Sequence, residues 1–218
     1  MSLLIDCTTE SGLDRGLEAA GTALAGRGCV VLPTDTVYGI GADAFSPQAV
    51  AVLLAAKGRG RAMPPPVLIG GTAVMDGLAT DIPAGARDLA EEFWPGALTL
   101  ILTAQPSLAW DLGETRGTVA LRVPDDQVAR ELLQEVGPLA VSSANRTGQP
   151  AATTAAAARE MLGDTVAVYL DDGERTRWAP STIIDCTVSP FRVVRRGALG
   201  FDELVAVVPD LVDSPTAE

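Results

Sequence analysis

Residues 33–41 read P-T-D-T-V-Y-G-I-G and directly follow a short apolar run, C-V-V-L, at residues 29–32. The run has the length and composition of a buried β-strand, and the segment behind it supplies two aliphatic hydroxyls, a carboxylate, a phenol and two flexible glycines. Polar, glycine-containing turns at strand ends are where α/β sheets usually build ligand sites. Taken alone, the segment fits an ordinary strand-to-helix loop equally well.

Three later segments favour the binding-site interpretation, because each also places polar or charged residues beside a predicted element. They are K-G-R at 57–59, S-S-A-N at 142–145 and R-R-G at 195–197. The recurrence suggests that separate parts of the chain contribute to one site.

The rest of the chain alternates between helix-like and strand-like segments. Apolar residues at helical spacing predict helices over 13–25, 46–56, 86–93, 125–136, 153–162 and 201–208. Short runs rich in Val, Leu, Ile and Thr predict strands over 29–32, 67–69, 98–102, 119–123, 139–141, 166–170, 182–186 and 191–195. Helices lie between some strands and not others, which predicts one α/β domain with a twisted mixed sheet. We expect this domain to span 1–208 and residues 209–218 to form a flexible tail.

Composition and charge narrow the class of protein. The chain has 218 residues, of which 47% are hydrophobic, and this fits a single domain with a substantial core. Its formal net charge of −12 opposes stable binding of nucleic acid backbones. Basic residues nevertheless cluster in two places, at 57–61 and at 192–196. Each cluster is either a solvated loop or part of a cationic pocket for a small polyanion such as a nucleoside triphosphate.

The residue types that are rare or absent exclude several kinds of site. Histidine is absent, which excludes a histidine general base, a Ser-His-Asp triad and a histidine-ligated metal. The three cysteines, Cys7, Cys29 and Cys186, predict neither a disulfide framework nor a zinc site, and they fit a reducing compartment. The sequence shows no signal peptide pattern and no apolar run of the roughly 20 residues that cross a bilayer. We therefore expect a cytoplasmic protein that does not bind membranes.

Two basic residues at the predicted end of a helix are candidate phosphate ligands. Lys57 and Arg59 would point about 200° apart on a continuous helix, so both reach one ligand only if the helix ends there. Gly58 and Gly60 permit that exit. A compact ammonium and a planar guanidinium together suit several phosphate oxygens.

Polar residues at other strand ends are candidate binding groups. Ser143 and Asn145 are alternate residues of an extended segment and can face one ligand, although a hydrogen-bonded turn would use the same residues. Arg122 ends a predicted strand and could clamp a carboxylate or form a surface salt bridge. Ser181 precedes one strand and Arg195 closes another. The sequence contains neither a P-loop nor a G-x-G-x-x-G turn after a strand, so an ATP site would need another arrangement.

Seven motifs in a fixed order carry a resemblance to a known family. They are P-T-D-T-V-Y-G-I-G-A-D-A at 33–44, K-G-R at 57–59, F-W-P-G-A-L-T at 93–99, A-L-R-V-P at 120–124, S-S-A-N-R-T-G-Q-P at 142–150, S-T-I-I-D at 181–185 and V-R-R-G-A at 194–198. On these motifs the chain resembles the YrdC-type threonylcarbamoyl-AMP synthases, and the resemblance runs in order from about residue 10 to 205. The resemblance implies a single α/β domain with a large concave cavity beneath a twisted sheet.

The resemblance also implies an activity and a site. L-Threonine, bicarbonate and ATP would give threonylcarbamoyl-adenylate and pyrophosphate, and the product would pass to the machinery that modifies adenosine 37 of tRNA. The implied nucleotide-binding residues are Lys57, Arg59, Ser143 and Asn145, assisted by Thr118, Thr153 and Arg195. The implied threonine-binding residues are Thr36, Arg122 and Ser181, with Arg122 on the carboxylate. Because both reactants are anionic, we expect Lys57 and Arg59 to act by neutralising charge, with Mg²⁺ on the phosphates and Asp35 as a candidate indirect ligand.

Some positions depart from the family pattern, and two alternatives stay open. Gly60 stands where many members have proline, and Leu68 stands where some have a histidine that contacts threonine. The loop 60–66 is therefore hard to predict, and Arg61 is a further candidate for phosphate contact. One alternative is a double-stranded RNA or ribosome-associated binding module of the same fold, which the net charge opposes. The other is a carbamoyl-transfer paralogue, which would release pyrophosphate without depending on threonine.

Overall fold

A computed structural model describes residues 2–176 and 179–215 of the chain. In these residues the α-helices are α1 (Glu10–Ala25), α2 (Pro47–Lys57), α3 (Met75–Leu78), α4 (Ala84–Phe93), α5 (Gln127–Val136), α6 (Ala155–Leu162) and α7 (Phe201–Val207). The strands are β1 (Leu3–Asp6), β2 (Val30–Leu32), β3 (Gly39–Asp43), β4 (Val67–Leu68), β5 (Leu98–Thr103), β6 (Thr118–Arg122), β7 (Leu139–Ser143), β8 (Val168–Asp171), β9 (Thr182–Asp185), β10 (Arg192–Arg195) and β11 (Val212–Asp213).

All eleven strands belong to one mixed sheet with the order β1-β8-β2-β3-β7-β4-β6-β5-β9-β10-β11. The sheet contains parallel pairs, such as β1 with β8 and β5 with β9, and antiparallel pairs, such as β3 with β7 and β5 with β6. This arrangement confirms the predicted α/β domain with a mixed sheet.

The helices cover the two faces of the sheet unequally. On one face, α1 packs against β1, β8 and β2, and α5 packs against α1. The core on this side contains Leu17, Leu24, Leu132 and Leu170. On the other face, α2, α4 and α6 pack against β3, β5 and β8 respectively, and they form the larger core. Helices α1 and α5 therefore cover only part of the first face, and they leave the part formed by β6, β5 and β9 uncovered.

The helix boundaries follow from capping residues in the sequence. Thr9 and Ser46 have extended backbones, and their side chains accept from the backbone N–H of Gly12 and Ala49 at the starts of α1 and α2. Gly58 ends α2 in the left-handed conformation, with φ of 64°, which a residue with a side chain adopts at a cost. The predicted exit of the chain at Gly58 is thereby confirmed.

The segment 33–38 connects two neighbouring antiparallel strands, β2 and β3, rather than a strand and a helix. Gly39 and Gly41, predicted to be flexible, lie within β3 and are buried. A Cβ added at Gly39 would lie 2.6 Å from Cγ1 of Val141 on β7. These glycines therefore permit close approach of strands, and no flexibility is needed from them.

The structure also differs from prediction at both ends of the chain. The first strand, Leu3–Asp6, was not predicted. Within the predicted flexible tail, β11 pairs with β10, Leu211 is buried, and the Arg196 guanidinium forms an ion pair with Asp213. The tail prediction missed these contacts because a strand of two residues leaves no periodic pattern in the sequence. Residues 216–218 lie outside the described part of the chain. Among the described residues, no helix combines the length and apolarity needed to cross a membrane.

Candidate functional site

One cavity of about 270 Å³ lies on the half of the sheet face that α1 and α5 leave uncovered. Its walls include the side chains of Thr36, Arg59, Leu68, Thr99, Arg122, Ser142, Ser143, Ser181 and Arg195. These residues come from the β2–β3 connection, from the segment after α2 and from the ends of β4 to β7, β9 and β10. The volume is slightly below the roughly 300–1,000 Å³ of typical small-molecule pockets, which suits a small ligand such as an amino acid.

Arg122, the last residue of β6, is buried at one end of the cavity, with only 6% of its surface exposed. Its Nη2 donates to Asp35 Oδ1 at 2.5 Å and its Nε to the Gly96 carbonyl at 2.9 Å. Asp35 Oδ1 also accepts the backbone N–H of Asp125 at 3.0 Å. Burial lowers the pKa of Arg122, and the Asp35 carboxylate opposes that shift. The guanidinium is therefore held rigidly, and its charge is balanced inside the protein.

The hydroxyl of Thr36 has a defined hydrogen-bond direction. Thr34 Oγ1 donates its single proton to the Val37 carbonyl at 2.6 Å, so the 3.0 Å bond between Thr34 and Thr36 takes its proton from Thr36. Arg122 Nη1 donates to Thr36 Oγ1 at 3.3 Å. One lone pair of Thr36 Oγ1 is left, and it can accept a hydrogen bond from a ligand N–H in the cavity.

Lys57, the last residue of α2, is 1% exposed and lies behind the part of the cavity wall that Ser143 forms. Among the described residues, this part of the wall and the part around Arg122 share no hydrogen-bond partner, and they are called the two ends of the cavity. Its ammonium donates to the Ser143 carbonyl at 2.5 Å, to Asn145 Oδ1 at 2.8 Å and to Ser143 Oγ at 3.3 Å. Burial, assisted by the charge of Arg59, lowers the pKa of Lys57 to about 8. The structure thus joins Lys57, Ser143 and Asn145, although neither Lys57 nor Asn145 lines the cavity.

Arg59 does line the cavity, one residue beyond the left-handed Gly58. Its Nη1 donates to Ser142 Oγ at 3.3 Å. Its buried Nε has no hydrogen-bond partner among the described residues. Burial lowers the pKa of Arg59, because a charged guanidinium in a partly dry site is poorly solvated. An anionic oxygen in the cavity would relieve that cost.

Ser181 and Arg195 form another part of the cavity wall. Arg195 Nε and Nη2 donate to the Ser181 carbonyl at 3.1 and 2.8 Å, and Nη2 also donates to Ser181 Oγ at 2.9 Å. Ser181 Oγ lies 2.8 Å from Thr99 Oγ1, and Thr99 is 1% exposed. The predicted threonine-side residue Ser181 and the predicted nucleotide-side residue Arg195 are thus in direct contact.

Other candidate residues lie elsewhere. Thr118 begins β6 and its hydroxyl donates to the Thr115 carbonyl at 2.8 Å, while the Thr153 carbonyl accepts the backbone N–H of Arg175 at 2.8 Å. Neither lines the cavity, so their nucleotide contacts remain predictions. Arg61 is exposed and forms an ion pair with Asp111 at 2.8 Å.

A second cavity, of about 260 Å³, lies on the other side of Thr34 and Asp35 and was not predicted. Arg175 lies in its wall, donates to Asp126 Oδ2 at 2.8 Å and has its guanidinium carbon 5.6 Å from the centre of the Tyr38 ring. Carboxylates dominate the remaining lining, so this cavity does not suit a phosphate. Its contacts support the 33–38 segment from behind.

Thr99, Ser142 and Thr34 also line the cavity but were not among the predicted binding residues, although Thr34 and Ser142 lie in segments that the sequence marked as candidate site segments. A usable signal existed for Thr99, since it is a single hydroxyl in the apolar strand L-T-L-I-L at residues 98–102. A polar side chain at a buried strand position needs a partner, and that partner is Ser181. Among the described residues, no group of three or more His, Cys, Asp or Glu side chains could hold a metal ion.

Comparisons with known proteins agree with these motifs. A family model for the Sua5/YciO/YrdC domain, described as "Telomere recombination", matches residues 22–197. A protein of Mycobacterium leprae named "Putative threonylcarbamoyl-AMP synthase" is 52% identical over 212 residues, which are 96% of each chain. The Bacillus subtilis protein named "Threonylcarbamoyl-AMP synthase" is 36% identical over 94% of this chain, and the match spans 60% of that longer protein.

Solved structures give the same assignment. The crystal structure of Pyrococcus abyssi Sua5 complexed with L-threonine matches with a TM-score of 0.90 and 31% identity, over 99% of this chain and 63% of that one. Escherichia coli YciO matches with a TM-score of 0.82 at 22% identity, which supports the fold alone. From the family model, the relatives and the shared fold together, the chain belongs to the Sua5/YciO/YrdC family.

Proposed function

We propose that this protein is a threonylcarbamoyl-AMP synthase. The amine of L-threonine adds to bicarbonate and water leaves, which gives a carbamate. A carbamate oxygen then attacks the α-phosphorus of ATP, and the bond from that phosphorus to the bridging oxygen breaks with release of pyrophosphate. The product is threonylcarbamoyl-adenylate.

The main support is that residues predicted for two different substrates line a single cavity. Arg59, Ser143 and Arg195 belong to the predicted nucleotide set, whereas Thr36, Arg122 and Ser181 belong to the predicted threonine set. The Pyrococcus abyssi relative has been crystallised with L-threonine. A shared cavity would hold the carbamate beside the α-phosphate, and such proximity supplies a large part of the rate enhancement in two-substrate reactions.

The chemical groups in the cavity suit a reaction without a covalent enzyme intermediate. Histidine is absent, and the three cysteine thiols are buried, where desolvation raises the pKa of Cys29 to about 12. The polar side chains that line the cavity are guanidinium and hydroxyl groups, which bind, orient and neutralise charge. Their arrangement favours direct attack of the carbamate on ATP.

Mg²⁺ enters this proposal only as part of the MgATP substrate. Asp35, the candidate indirect ligand, is ion-paired with Arg122. The described residues therefore do not fit a resident metal site, and no step depends on one. Lys57 and Arg59 would supply the protein's share of charge neutralisation near the phosphates.

The product would serve the threonylcarbamoyl modification of adenosine 37 in tRNA. The protein would hand over a small adenylate and would not bind RNA stably, because its net charge is −12. We also propose a cytoplasmic location, where threonine, ATP and tRNA occur together.

Pyrophosphate release tests the proposal directly. The purified protein is supplied with MgATP, L-threonine and bicarbonate, and each is omitted in turn. Release only in the complete mixture supports the synthase, and mass spectrometry should show threonylcarbamoyl-adenylate. Release that does not require threonine would instead support the carbamoyl-transfer paralogue, and an RNA gel-shift assay at several salt concentrations tests the RNA-binding alternative.

A further inference from the structure

The hydroxyl pair formed by Thr99 and Ser181 is a feature of the cavity that the predicted substrate-binding residues do not explain. Their oxygens are 2.8 Å apart, and both residues are at least nine-tenths buried, with 1% and 5% of their surfaces exposed. Both residues line the cavity. Thr99 belongs to neither predicted set of binding residues, so its polar side chain needs an explanation.

The hydrogen bonds of Thr99 and Ser181 leave the pair with one O–H that can donate to a ligand. Arginine can only donate, so Ser181 Oγ accepts from Arg195 Nη2. Two hydroxyls carry two protons, and one of these forms the bond between Thr99 and Ser181. Among the described residues, no acceptor is hydrogen-bonded to either hydroxyl apart from the other member of the pair. Whichever way the internal bond runs, one O–H is left to donate into the cavity.

Close packing holds the backbone of Ser181 in place, whereas the orientation of its hydroxyl depends on its hydrogen-bond partners. A Cβ added at Gly197 would lie 2.3 Å from the Pro180 carbonyl oxygen, and the Ala198 N–H donates to that carbonyl at 2.9 Å. The chain that follows Arg195 is therefore packed tightly against Pro180 and Ser181. The orientation of the Ser181 hydroxyl is set by two groups, Arg195 and Thr99.

The same end of the cavity has a complementary acceptor. Thr36 Oγ1 accepts from Arg122 and donates to Thr34, so it presents a lone pair. The register of β5 and β6 pairs Leu100 with Leu121, which brings Thr99 and Arg122 to the same end of these strands. An amino acid in the cavity would find an acceptor for its N–H on one side and a donor for an anionic oxygen on the other.

We infer that Thr99 is a positioning residue which, with Arg195, orients the Ser181 hydroxyl so that the pair donates one O–H to an anionic oxygen of the bound amino acid. This inference rests on the proposed function, because it takes L-threonine as the amino acid. The hydrogen bond that Arg195 donates polarises the Ser181 hydroxyl, and this makes the Ser181 O–H a stronger donor, as in other hydrogen-bonded chains. Loss of the Thr99 hydroxyl frees the Ser181 rotamer and weakens amino acid binding.

Calorimetric titration of L-threonine into the full-length protein tests the inference. Thr99→Val keeps the side-chain shape and removes the hydroxyl, and we expect about tenfold weaker threonine binding, the effect of losing one well-placed hydrogen bond. Thr99→Ser restores a hydroxyl and should bind within about threefold of wild type by the same reasoning. Thr187→Val is the matched control, since it removes an exposed hydroxyl that bonds only to Asp185 and should leave binding unchanged.

A double-mutant cycle separates positioning from general damage. In a Ser181→Ala background, Thr99→Val should cost less than about twofold, because the group it positions is gone. Wild-type affinity in Thr99→Val, equal weakening in Thr99→Ser, or additive losses in the double variant would each overturn the inference. Circular dichroism checks folding; if Thr99→Val does not fold, Thr99→Ala takes its place, and failure of both shows a purely structural role and overturns the inference.

The outcomes also distinguish this inference from the proposed function. Wild-type protein that binds threonine but releases no pyrophosphate overturns the synthase proposal and leaves the Thr99 comparison valid. Wild-type protein that does not bind threonine overturns both.

Discussion

The two ends of the cavity each contain a buried cation, and the two cations are compensated differently. Arg122 is 6% exposed and forms an ion pair with Asp35, so the charge at its end of the cavity is balanced by the protein. Lys57 is 1% exposed and donates to a carbonyl, a hydroxyl and an amide oxygen, all of which are neutral. Among the described residues, no carboxylate forms an ion pair with Lys57 or Arg59.

This difference matches two kinds of ligand. A balanced end that offers a guanidinium, an acceptor on Thr36 and a donor from the Thr99–Ser181 pair suits a zwitterion such as an amino acid. An end with two uncompensated cations suits a polyanion such as a triphosphate, which would restore neutrality on binding. The lowered pKa of both Lys57 and Arg59 is the cost of keeping that end positive.

Arg122→Ala should have the largest effect, because it removes the guanidinium and leaves the Asp35 carboxylate buried and unpaired. We expect threonine affinity to fall by about 100-fold or more, and folding stability to fall by about 3–5 kcal/mol. Titration of threonine and of ATP, with urea unfolding alongside, measures both effects. The double variant Arg122→Ala with Asp35→Asn should recover part of the stability without recovering threonine binding. Equal losses in ATP and threonine affinity would contradict the assignment of this end.

Arg59→Ala should have the next largest effect and should act on the other substrate. Losing charge-assisted hydrogen bonds to phosphate is expected to raise the KM for ATP by about 10- to 100-fold. The KM for threonine should change little, because Arg59 lies at the opposite end. Arg87→Ala is a matched control, since Arg87 is an exposed arginine paired with Asp76 and does not line the cavity. An ATP KM that stays at the wild-type value would remove Arg59 from the nucleotide site.

The pKa of Lys57, about 8, predicts a pH dependence that is specific to the nucleotide end. Above pH 8 the folded protein loses this charge, and ATP affinity should decline by up to about tenfold. Folding stability should move in the opposite direction. Between pH 8 and 10.5, the ordinary pKa of lysine, the unfolded chain binds a proton that the folded chain does not, so the contribution of Lys57 to stability rises with pH. Titrating ATP from pH 6.5 to 9.5 into wild type and into Lys57→Met checks the assignment. An alkaline decline that persists in Lys57→Met must come from another group.

Arg61→Ala should have the smallest effect. Arg61 is exposed, and its ion pair with Asp111 should contribute little to stability, because solvent screens it. Because the loop 60–66 was a candidate for phosphate contact, the decisive measurement is the KM for ATP, which we expect to stay within about twofold of wild type. A larger rise would extend the nucleotide end to Arg61.

Local signals in the sequence predicted much of the fold. Helix α2 begins after Ser46 and ends before Gly58, close to the predicted bounds, because N-capping by serine and the left-handed conformation of glycine are local effects. Strands with β-branched and leucine runs, such as β5 and β6, were found to within a residue or two. The strands that were missed, β1, β3 and β11, are short or glycine-rich and depend on neighbours for their pairing.

The site followed the same division between local and distant information. The sequence marked three polar residues at strand ends, Arg122, Ser181 and Arg195. The role of Thr99 depends on Ser181, whose Oγ lies 2.8 Å from Thr99 Oγ1 although the two residues are far apart in the sequence. Lys57 was predicted to lie beside phosphates, whereas in the structure its ammonium donates hydrogen bonds to Ser143 and Asn145. Periodicity cannot show such partners, because they depend on strand order and register.

The sequence by itself determined the family, the α/β class and the set of polar residues available for chemistry, since motifs, caps and apolar periodicity are encoded by near neighbours. The tertiary structure decided which of those residues face one cavity and which support them from behind. It also decided that Arg122 is paired with a carboxylate while Lys57 is not, because charge compensation is a property of three-dimensional contact between residues that the chain keeps far apart.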